Sequence, residues 1–217
     1  MTLQSTVPMD DLSSLEREQR RLESLSTGIA QALINAMEAK SPYLRGHSER
    51  VAATAAAIAA ALELTDDLIE QVRLAGRLHD VGKIGIREAV LDKPAALTEQ
   101  EFAHVREHVR IGLDILAPLD HLGAVIDFVR DHHERRDGSG YPQGLRGDAI
   151  SLGGRIVGAA DVFDALTSPR AYRDPMDPRQ AIKYLMGLRA PAVCPTVLPA
   201  LARVVATGQV LVFLNEA

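Results

Sequence analysis

Leu78-His-Asp-Val-Gly-Lys83 sets an imidazole beside a carboxylate, and His132-His-Glu-Arg-Arg-Asp-Gly-Ser-Gly-Tyr-Pro142 begins with two adjacent imidazoles. Neighbouring nitrogen and oxygen donors are ligands that hard to borderline divalent metals prefer in proteins. Each pair comes at the predicted end of a helix and is followed by a glycine-containing turn with cationic side chains. The two runs together favour a helical fold in which several helix ends converge on one metal centre.

Apolar residues on either side of these runs recur with the period of an α-helix, and no stretch before the C-terminus alternates as a β-strand does. The sequence therefore predicts an all-α fold. Thr65 is a candidate N-cap, and Thr98 with Glu101 forms a capping-box pattern. The segment 137–147 is rich in glycine and proline and is predicted to be a loop. Predicted helices cover residues 10–38, 46–64, 65–79, 98–116, 122–133 and 153–167, with another after Pro178 and a short strand or apolar helix end at Val210–Phe213.

The N-terminal segment has two interpretations. Leu15, Leu22 and Ile29 are seven residues apart, which is typical of a coiled-coil arm or a signalling linker. The alternative is a single amphipathic helix folded back on its own domain. The break at Ser41-Pro42 predicts a boundary near residue 40, because proline disfavours helix in the residue before it. The predicted organisation is an arm over residues 1–40 and a domain over residues 41–217.

The composition narrows the classes of function. A net charge of -5 over 217 residues argues against a binder of nucleic-acid polymers, because affinity for a phosphate backbone needs an excess of lysine and arginine. A small anionic substrate requires only a local positive pocket, to which bound metals would add charge. The single cysteine, Cys194, excludes an internal disulfide and fits a reducing compartment, so the cytoplasm is predicted. The longest apolar run, Val51–Leu62, is too short to span a membrane, and no targeting segment is visible.

Each candidate ligand also has an ordinary structural interpretation. A single His-Asp pair at a helix end is more often a surface feature, where the histidine is favourable at the negative end of the helix dipole. Asp161 differs, because it lies in the apolar stretch 159–166 and a buried unpaired carboxylate is costly. Asp164, three residues later, has the alternative of pairing with a nearby arginine. The histidine pairs favour the interpretation of Asp161 as a metal ligand.

Separated motifs follow one another along the chain: Gly46-His-Ser-Glu-Arg-Val51, Leu78-His-Asp-Val-Gly-Lys83, Lys93-Pro94, Leu97-Thr98, His108, His132-His-Glu-Arg-Arg-Asp-Gly-Ser-Gly-Tyr-Pro142 and Ala160-Asp-Val-Phe-Asp-Ala-Leu166. In this combination and order they resemble the HD-GYP family of cyclic di-GMP phosphodiesterases, a branch of the HD superfamily of metal-dependent phosphohydrolases. The resemblance covers about Tyr43 to Leu185. It implies an HD-domain helical bundle that follows the N-terminal helical arm.

The resemblance also implies the roles of individual residues. It implies that two divalent metal ions, iron or manganese, are held by His47, His79, Asp80, His108, His132, His133 and Asp161. Asp80 and Lys83 are the implied catalytic residues, and Lys83 is also implied to contact the scissile phosphate. Tyr141, Arg170 and Arg173 are the implied substrate-binding residues, with Tyr141 packed on a guanine base or ribose and the arginines against the phosphates.

The chain departs from the family at several positions. Some members have a glutamate where this chain has Tyr43 and use it for a third metal, so two metals are expected here. His104 shares a helix face with His108 and is a less favoured extra ligand, because relatives place an apolar residue there. His121 is expected to be exposed. Cys194 stands where the family commonly has aspartate, and it is expected to be a small buried residue rather than a reactive one.

The implied activity is hydrolysis of cyclic di-GMP to linear pGpG or GMP through a metal-bridging hydroxide, with Lys83 stabilising charge on the phosphoryl oxygens. A phosphohydrolase for mononucleotides or guanosine tetraphosphate, and a phosphodiesterase for a mixed cyclic dinucleotide, are alternatives. The intact Gly140-Tyr-Pro142 motif favours cyclic di-GMP over them. A rival of another class is a catalytically weak module that binds a dinucleotide or a partner signalling domain. Expected partners are cyclic di-GMP, a second copy through the N-terminal helix, and a sensor or diguanylate cyclase in trans.

Overall fold

The computed structural model describes residues 9–42, 44–119, 122–169, 174–187 and 194–208, and most side chains before residue 28 lie outside that description. The helices are α1 Met9–Glu38, α2 His47–Ala61, α3 Asp66–Leu78, α4 Glu88–Leu91, α5 Glu99–Leu116, α6 Ala124–Asp131, α7 Leu152–Thr167, α8 Pro178–Gly187 and α9 Val197–Ala206. Among the described residues, the 3-10 turns Val81–Gly85 and Gly147–Ala149 connect some of these helices. The described residues contain no β-strand, so the all-α prediction is confirmed.

Local signals in the sequence fix several helix starts. The Thr65 hydroxyl accepts a hydrogen bond from the backbone N–H of Leu68, which satisfies one free donor at the start of α3. Thr98 and Glu101 form the reciprocal capping box at the start of α5. The predicted helix over 122–133 is shorter than expected, because α6 ends at Asp131. The α4 and α9 helices were not predicted.

The centre of the bundle is α2, whose alanine-rich sequence allows neighbouring helices to approach closely. It packs against α3, α7 and α9. A Cβ added at Gly76 on α3 would lie 2.7 Å from the Cα of Ala52 on α2, so the two backbones almost touch. Val51, Ile58 and Phe163 are fully buried in the core that these helices share. This packing fixes the directions of the helices whose ends form the functional site.

The end of α1 packs on the domain. Ile34 and Met37 are buried, and Leu33 is partly buried against the core. Leu25 and Ile29 are about half exposed, with 53% and 51% of their surface accessible. Part of α1 therefore folds back, while its earlier turns present apolar side chains to solvent.

Other expectations fall on residues that the structure does not describe, or are not tested by it. The side chains of Leu15 and Leu22 lie outside the described residues, as does the tail Val210–Phe213. The boundary near residue 40 stays a prediction. Within the described residues, no helix combines the length and the apolar character that a membrane crossing requires.

Candidate metal centre and adjoining cavity

The His-Asp run lies where α3 ends and a 3-10 turn begins. Leu78 is the last residue of α3, and His79 and Asp80 follow it before the turn at Val81. A Cβ added at Gly82 would lie 1.9 Å from the carbonyl oxygen of His108, so only glycine allows this turn to lie against α5. Both side chains of the pair are buried. The sharp change of direction turns both towards the centre of the bundle.

The first group of candidate ligands joins α2 to the His-Asp run. The Nε2 atom of His47, the first residue of α2, lies 3.4 Å from the Oδ2 atom of Asp80 and 3.4 Å from the Oδ1 atom of Asp161 on α7. The Nε2 atom of His79 lies 3.3 Å from the same Asp80 oxygen. One ligand atom from each of His47, His79 and Asp80 lies within 4.8 Å of the others, which fits a single cation.

The second group shares Asp80 with the first. Ligand atoms of Asp80, His108, His132 and His133 all lie within 4.8 Å of one another. The Oδ1 atom of Asp80 lies 3.4 Å from Nε2 of His108, while its Oδ2 atom faces the first group. The two carboxylate oxygens thus point at different groups, so Asp80 could contribute one oxygen to each.

The histidine rings are oriented so that one nitrogen of each is free for a metal. The Nδ1 atoms of His79, His108 and His132 lie 2.6 to 2.7 Å from backbone carbonyl oxygens. A carbonyl oxygen only accepts, so each Nδ1 is the protonated nitrogen and Nε2 holds the lone pair. The Nε2 atoms of these residues and of His47, together with Oδ1 of Asp80, are buried without a hydrogen-bond partner among the described residues. Buried polar atoms of this kind are costly unless a ligand satisfies them, and imidazole and carboxylate together fit divalent transition metals.

The charges of the site support the same interpretation. Burial alone would lower the pKa of His47, but the adjacent carboxylates of Asp161, Asp164 and Asp80 raise it to about 10. Burial lowers the pKa of His133 to about 3. The pKa of Asp161 is well below its usual range, because the nearby imidazoles of His47 and His79 outweigh the opposing effect of burial. Most ligands are thus in the form that binds metal, and His47 is the exception.

Metal binding is expected to release about one proton per chain at pH 8, because His47 must lose its proton before Nε2 can bind a cation. The apparent affinity for Mn²⁺ should then fall roughly ten-fold for each pH unit lowered from about 10 towards 6.5. His132 and His133 have lowered pKa values and add no competition in that window. Calorimetric titration of Mn²⁺ in two buffers of different ionisation enthalpy measures the proton count. A count of zero at pH 8 would contradict the assignment.

Asp164 contacts His47 at Nδ1, the ring nitrogen that does not face the candidate metal ligands. Its Oδ2 atom lies 2.7 Å from Nδ1 of His47, and its Oδ1 atom accepts a hydrogen bond of 2.7 Å from Nε of Arg50. Ser168 also donates to this carboxylate. The sequence left open a pairing of Asp164 with an arginine, and that pairing is present. Its contact with His47 was not predicted.

Asp164→Asn is expected to weaken Mn²⁺ binding at the group containing His47 by roughly ten-fold to a hundred-fold, as is usual when a ligating histidine loses its carboxylate partner. The loss of orientation outweighs the easier deprotonation of His47. Competition with a fluorescent chelator measures the affinity. Asp127→Asn is a matched control, since Asp127 pairs with Arg130 on the surface. Equal affinity in the two variants would refute the positioning role.

Lys83 extends from the 3-10 turn to the shared carboxylate. Its ammonium group donates to Oδ2 of Asp80, and 16% of its side chain is exposed. The remaining ammonium protons can reach a ligand that enters the site from solvent. Lys83 therefore lies beside the carboxylate that both ligand groups share, with part of its side chain open to solvent.

The Gly-Tyr-Pro loop is fastened to the segment that contains the histidine pair. A Cβ added at Gly140 would lie 2.5 Å from the carbonyl oxygen of His133, and the N–H of Tyr141 donates to that oxygen. The buried carboxylate of Glu134 accepts hydrogen bonds from the backbone N–H groups of three loop residues: Gln143, Gly144 and Leu145. The ring of Tyr141 lies 4.7 Å from the ring of His133. The loop thus forms a wall directly beside the second ligand group.

A cavity of about 340 Å³ opens next to this wall, which is within the usual range for small-molecule sites. Its lining includes the candidate ligands His132, His133 and Asp161 and the arginines 106, 135, 136 and 155. A protein with a net charge of -5 thus concentrates positive charge at one place. Such a lining suits an anionic ligand that also reaches the metal ligands.

Cys194 lies in the same lining. It is buried, and its sulfur accepts hydrogen bonds from Arg136 at 3.9 Å and Arg155 at 3.6 Å. Burial raises the pKa of this thiol, but hydrogen bonds from Thr196 and Val197 outweigh that effect and lower it. Both arginines also pair with Asp148. The cysteine is buried as expected, but it has polar partners that the sequence did not reveal.

The remaining predicted residues are accounted for as follows. Arg170, Arg173, Tyr43 and His121 lie outside the described residues. His104 does not belong to either ligand group, and its Nδ1 atom pairs with Glu107 at 2.8 Å. Two residues of the site were not predicted from the sequence. Glu134 holds the loop, although it directly follows the histidine pair, and Arg106 lies over the Tyr141 ring.

Comparison with known proteins gives one family and a consistent set of relatives. The family model for the HD domain matches residues 31–191. The chain is 39% identical over 182 residues to a 3′3′-cGAMP-specific phosphodiesterase 3 of Vibrio cholerae, covering 84% of this chain and 37% of that protein. It is 40% identical over 192 residues to a cyclic di-GMP phosphodiesterase response regulator of Xanthomonas campestris, covering 87% of this chain and 49% of that protein.

A solved structure has a similar fold. The HDG"Y"P protein Bd1817 of Bdellovibrio bacteriovorus aligns with a TM-score of 0.63 at 21% identity, over 77% of this chain and 53% of that chain. This identity shows the fold alone. The chain spans half or less of the length of the two relatives above, so what those proteins do as a whole is not shown for it.

Proposed function

Since this chain belongs to the HD domain family and to its HD-GYP branch, we propose that it is a metal-dependent phosphodiesterase that hydrolyses cyclic di-GMP to linear pGpG or GMP. The observation that supports this best is Asp80, whose two oxygens face two separate groups of buried ligands. Such a centre beside an arginine-lined cavity suits a phosphodiester.

We propose that both metal groups are filled in the active protein. One cation would be held by His47, His79, Asp80 and Asp161, and the other by Asp80, His108, His132 and His133. Two divalent ions, iron or manganese, would supply Lewis acidity and an activated water nucleophile. The histidine and carboxylate donors suit either metal.

The residues around the metals would orient the substrate and stabilise charge. Lys83 donates hydrogen bonds to a non-bridging phosphoryl oxygen, where negative charge develops during attack. Asp80 holds Lys83 in place through their hydrogen bond. We propose that Arg170 and Arg173 contact the phosphates, as the family resemblance implies. The cavity would hold the rest of the dinucleotide away from bulk water.

A role for Tyr141 as an open stacking surface needs to be adjusted. Its ring contacts His133, and the guanidinium of Arg106 lies over the ring 5.1 Å from its centroid. Neighbouring side chains therefore already contact part of the ring. We propose that Tyr141 supports the substrate through the wall that it forms rather than by stacking on a free base.

Two other functions have support. A relative that is 39% identical acts on 3′3′-cGAMP, so a mixed cyclic dinucleotide is a second candidate substrate. A catalytically weak module that binds a dinucleotide or a partner signalling domain is the other candidate, and it rests on the sequence arguments alone. The buried Nε2 atoms of the candidate ligand histidines have no hydrogen-bond partner among the described residues, which favours a metal-binding, catalytic centre over this module.

The deciding experiment combines metal analysis with product chromatography. The protein is purified without oxygen, loaded with Fe²⁺ or Mn²⁺, and incubated with cyclic di-GMP or 3′3′-cGAMP. About two metal ions per chain and the appearance of pGpG or GMP are expected. Retained metal with both nucleotides intact would support the binding module instead. No retained metal would refute the proposal.

We propose further that the exposed part of α1 forms a dimer contact, because Leu25 and Ile29 are apolar and about half exposed. The double change Leu25→Glu and Ile29→Glu should convert a dimer to a monomer in light-scattering measurements. An unchanged mass would exclude this contact. A sensor or diguanylate cyclase partner in trans, a cytoplasmic location and the arm over residues 1–40 remain proposals on the sequence arguments alone.

A further inference from the structure

Arg106 lies on a pair of aromatic rings at the edge of the cavity. Its guanidinium carbon is 4.5 Å from the centroid of Phe102, one helical turn earlier on α5, and 5.1 Å from the centroid of Tyr141. The two rings meet edge to face at 6.4 Å. Phe102 is 42% exposed, which is a high value for a large aromatic residue. The guanidinium thus contacts two aromatic rings on a surface that solvent can reach.

The donors of Arg106 are available. Within the part of the chain that the structure describes, Arg106 forms no ion pair, whereas Arg136 and Arg155 in the same cavity both pair with Asp148. Arg110, one turn further along α5, pairs with Asp114. A guanidinium that contacts aromatic rings and lacks a carboxylate partner is restrained while its N–H groups stay free. This state suits recognition of a flat ligand with two adjacent acceptors.

The position of Arg106 separates it from the phosphate site. Tyr141 contacts both Arg106 and His133, a candidate metal ligand whose ring is 4.7 Å from that of Tyr141. A phosphate held by the metals and Lys83 would therefore be one aromatic ring away from this guanidinium. The group of a dinucleotide that extends beyond its phosphate and ribose is the base.

We propose that Arg106 recognises the N7 and O6 atoms of one guanine base of the substrate, an inference that rests on the proposed phosphodiesterase function. Two parallel N–H groups of arginine match these two acceptors, and this pairing is the commonest specific contact to guanine. Adenine presents N7 but has an amino donor in place of O6, which faces an arginine donor unfavourably. Arg106 therefore selects substrates with a guanine at this position, which include cyclic di-GMP and 3′3′-cGAMP, over cyclic di-AMP.

The test compares Arg106→Gln and Arg106→Leu with the wild type and with Arg110→Leu, a matched change on the same helix. Three substrates are used: cyclic di-GMP, cyclic di-AMP and bis(p-nitrophenyl) phosphate, which has no base. Arg106→Leu should lower kcat/KM for cyclic di-GMP roughly ten-fold to a hundred-fold and leave the base-free diester nearly unchanged. Glutamine pairs with N7 and the amino group of adenine, so Arg106→Gln should raise kcat/KM for cyclic di-AMP. Metal content should be equal in all four proteins.

Two results would overturn the inference. An equal loss on all three substrates would assign Arg106 to phosphate binding or to folding, and unchanged kinetics would show that it does not touch the substrate. If the wild type cleaves no substrate, the proposed function fails by itself. Equilibrium dialysis of cyclic di-GMP and cyclic di-AMP against the wild type and Arg106→Gln then decides the case, because only base recognition reverses the preference.

Discussion

Asp80→Asn is expected to remove nearly all catalytic activity, with kcat/KM for cyclic di-GMP falling by roughly a thousand-fold or more. The reason is that one carboxylate serves both ligand groups, so its loss weakens both cations together. An amide offers a single weak oxygen ligand and no negative charge. It also leaves several buried imidazoles without a counter-charge. Metal analysis after gel filtration should show well under two ions per chain.

The matched control is Asp114→Asn, which changes an aspartate that pairs with Arg110 on the exposed face of α5. This variant should retain both metal ions and full activity. Far-ultraviolet circular dichroism shows whether the Asp80 variant is still folded. A folded Asp80→Asn protein with two bound metals and normal turnover would eliminate the shared-ligand hypothesis.

Lys83→Met is expected to lower kcat for cyclic di-GMP by roughly a hundred-fold to a thousand-fold, comparable to the loss of one donor to a developing oxyanion. Methionine keeps much of the length and apolar volume but cannot donate. Because Lys83 contacts Asp80 as a donor and offers no ligand atom to a metal, the metal content should stay unchanged. Steady-state kinetics combined with metal analysis measures both quantities on one preparation.

Lys93→Met is the control for this change, since Lys93 pairs with Glu101 away from the ligand groups. It should leave turnover unchanged. A Lys83 variant that loses metal along with activity would indicate that the lysine stabilises the charge of the empty ligand cluster instead. Turnover at the wild-type level would remove Lys83 from the catalytic residues.

The parts of the fold that follow local rules were predictable from sequence. Thr98 and Glu101 are three residues apart, and the capping box that this spacing predicts is present at the start of α5. The all-α class follows from periodicity in the same way. In contrast, α9 was missed, although Val197, Leu201 and Val204 lie on one buried face. Pro199 falls within the first turn of α9, where a helix tolerates proline.

For the candidate site, the identity of the donor residues was predictable from the sequence, but their contacts with one another were not. Which residues are donors could be predicted from residue type and from the family resemblance. Which oxygen of Asp80 faces which group could not, because it depends on the turn at Gly82 and its contact with α5. The contacts of Asp164 with His47 and of Arg106 with Tyr141 join segments far apart in the chain. A sequence contains no local signal for such pairs.

The attachment of the Gly-Tyr-Pro loop has a thermodynamic consequence. The carboxylate that accepts the loop hydrogen bonds belongs to Glu134, the residue next to the candidate ligand His133, and Gly140 lies against the backbone of both. The ordering of the loop is therefore coupled to the ordering of the segment that contains the candidate ligand His133. Filling the metal sites should slow amide hydrogen exchange in the loop, and a nucleotide that tightens the loop should strengthen metal retention by the same factor.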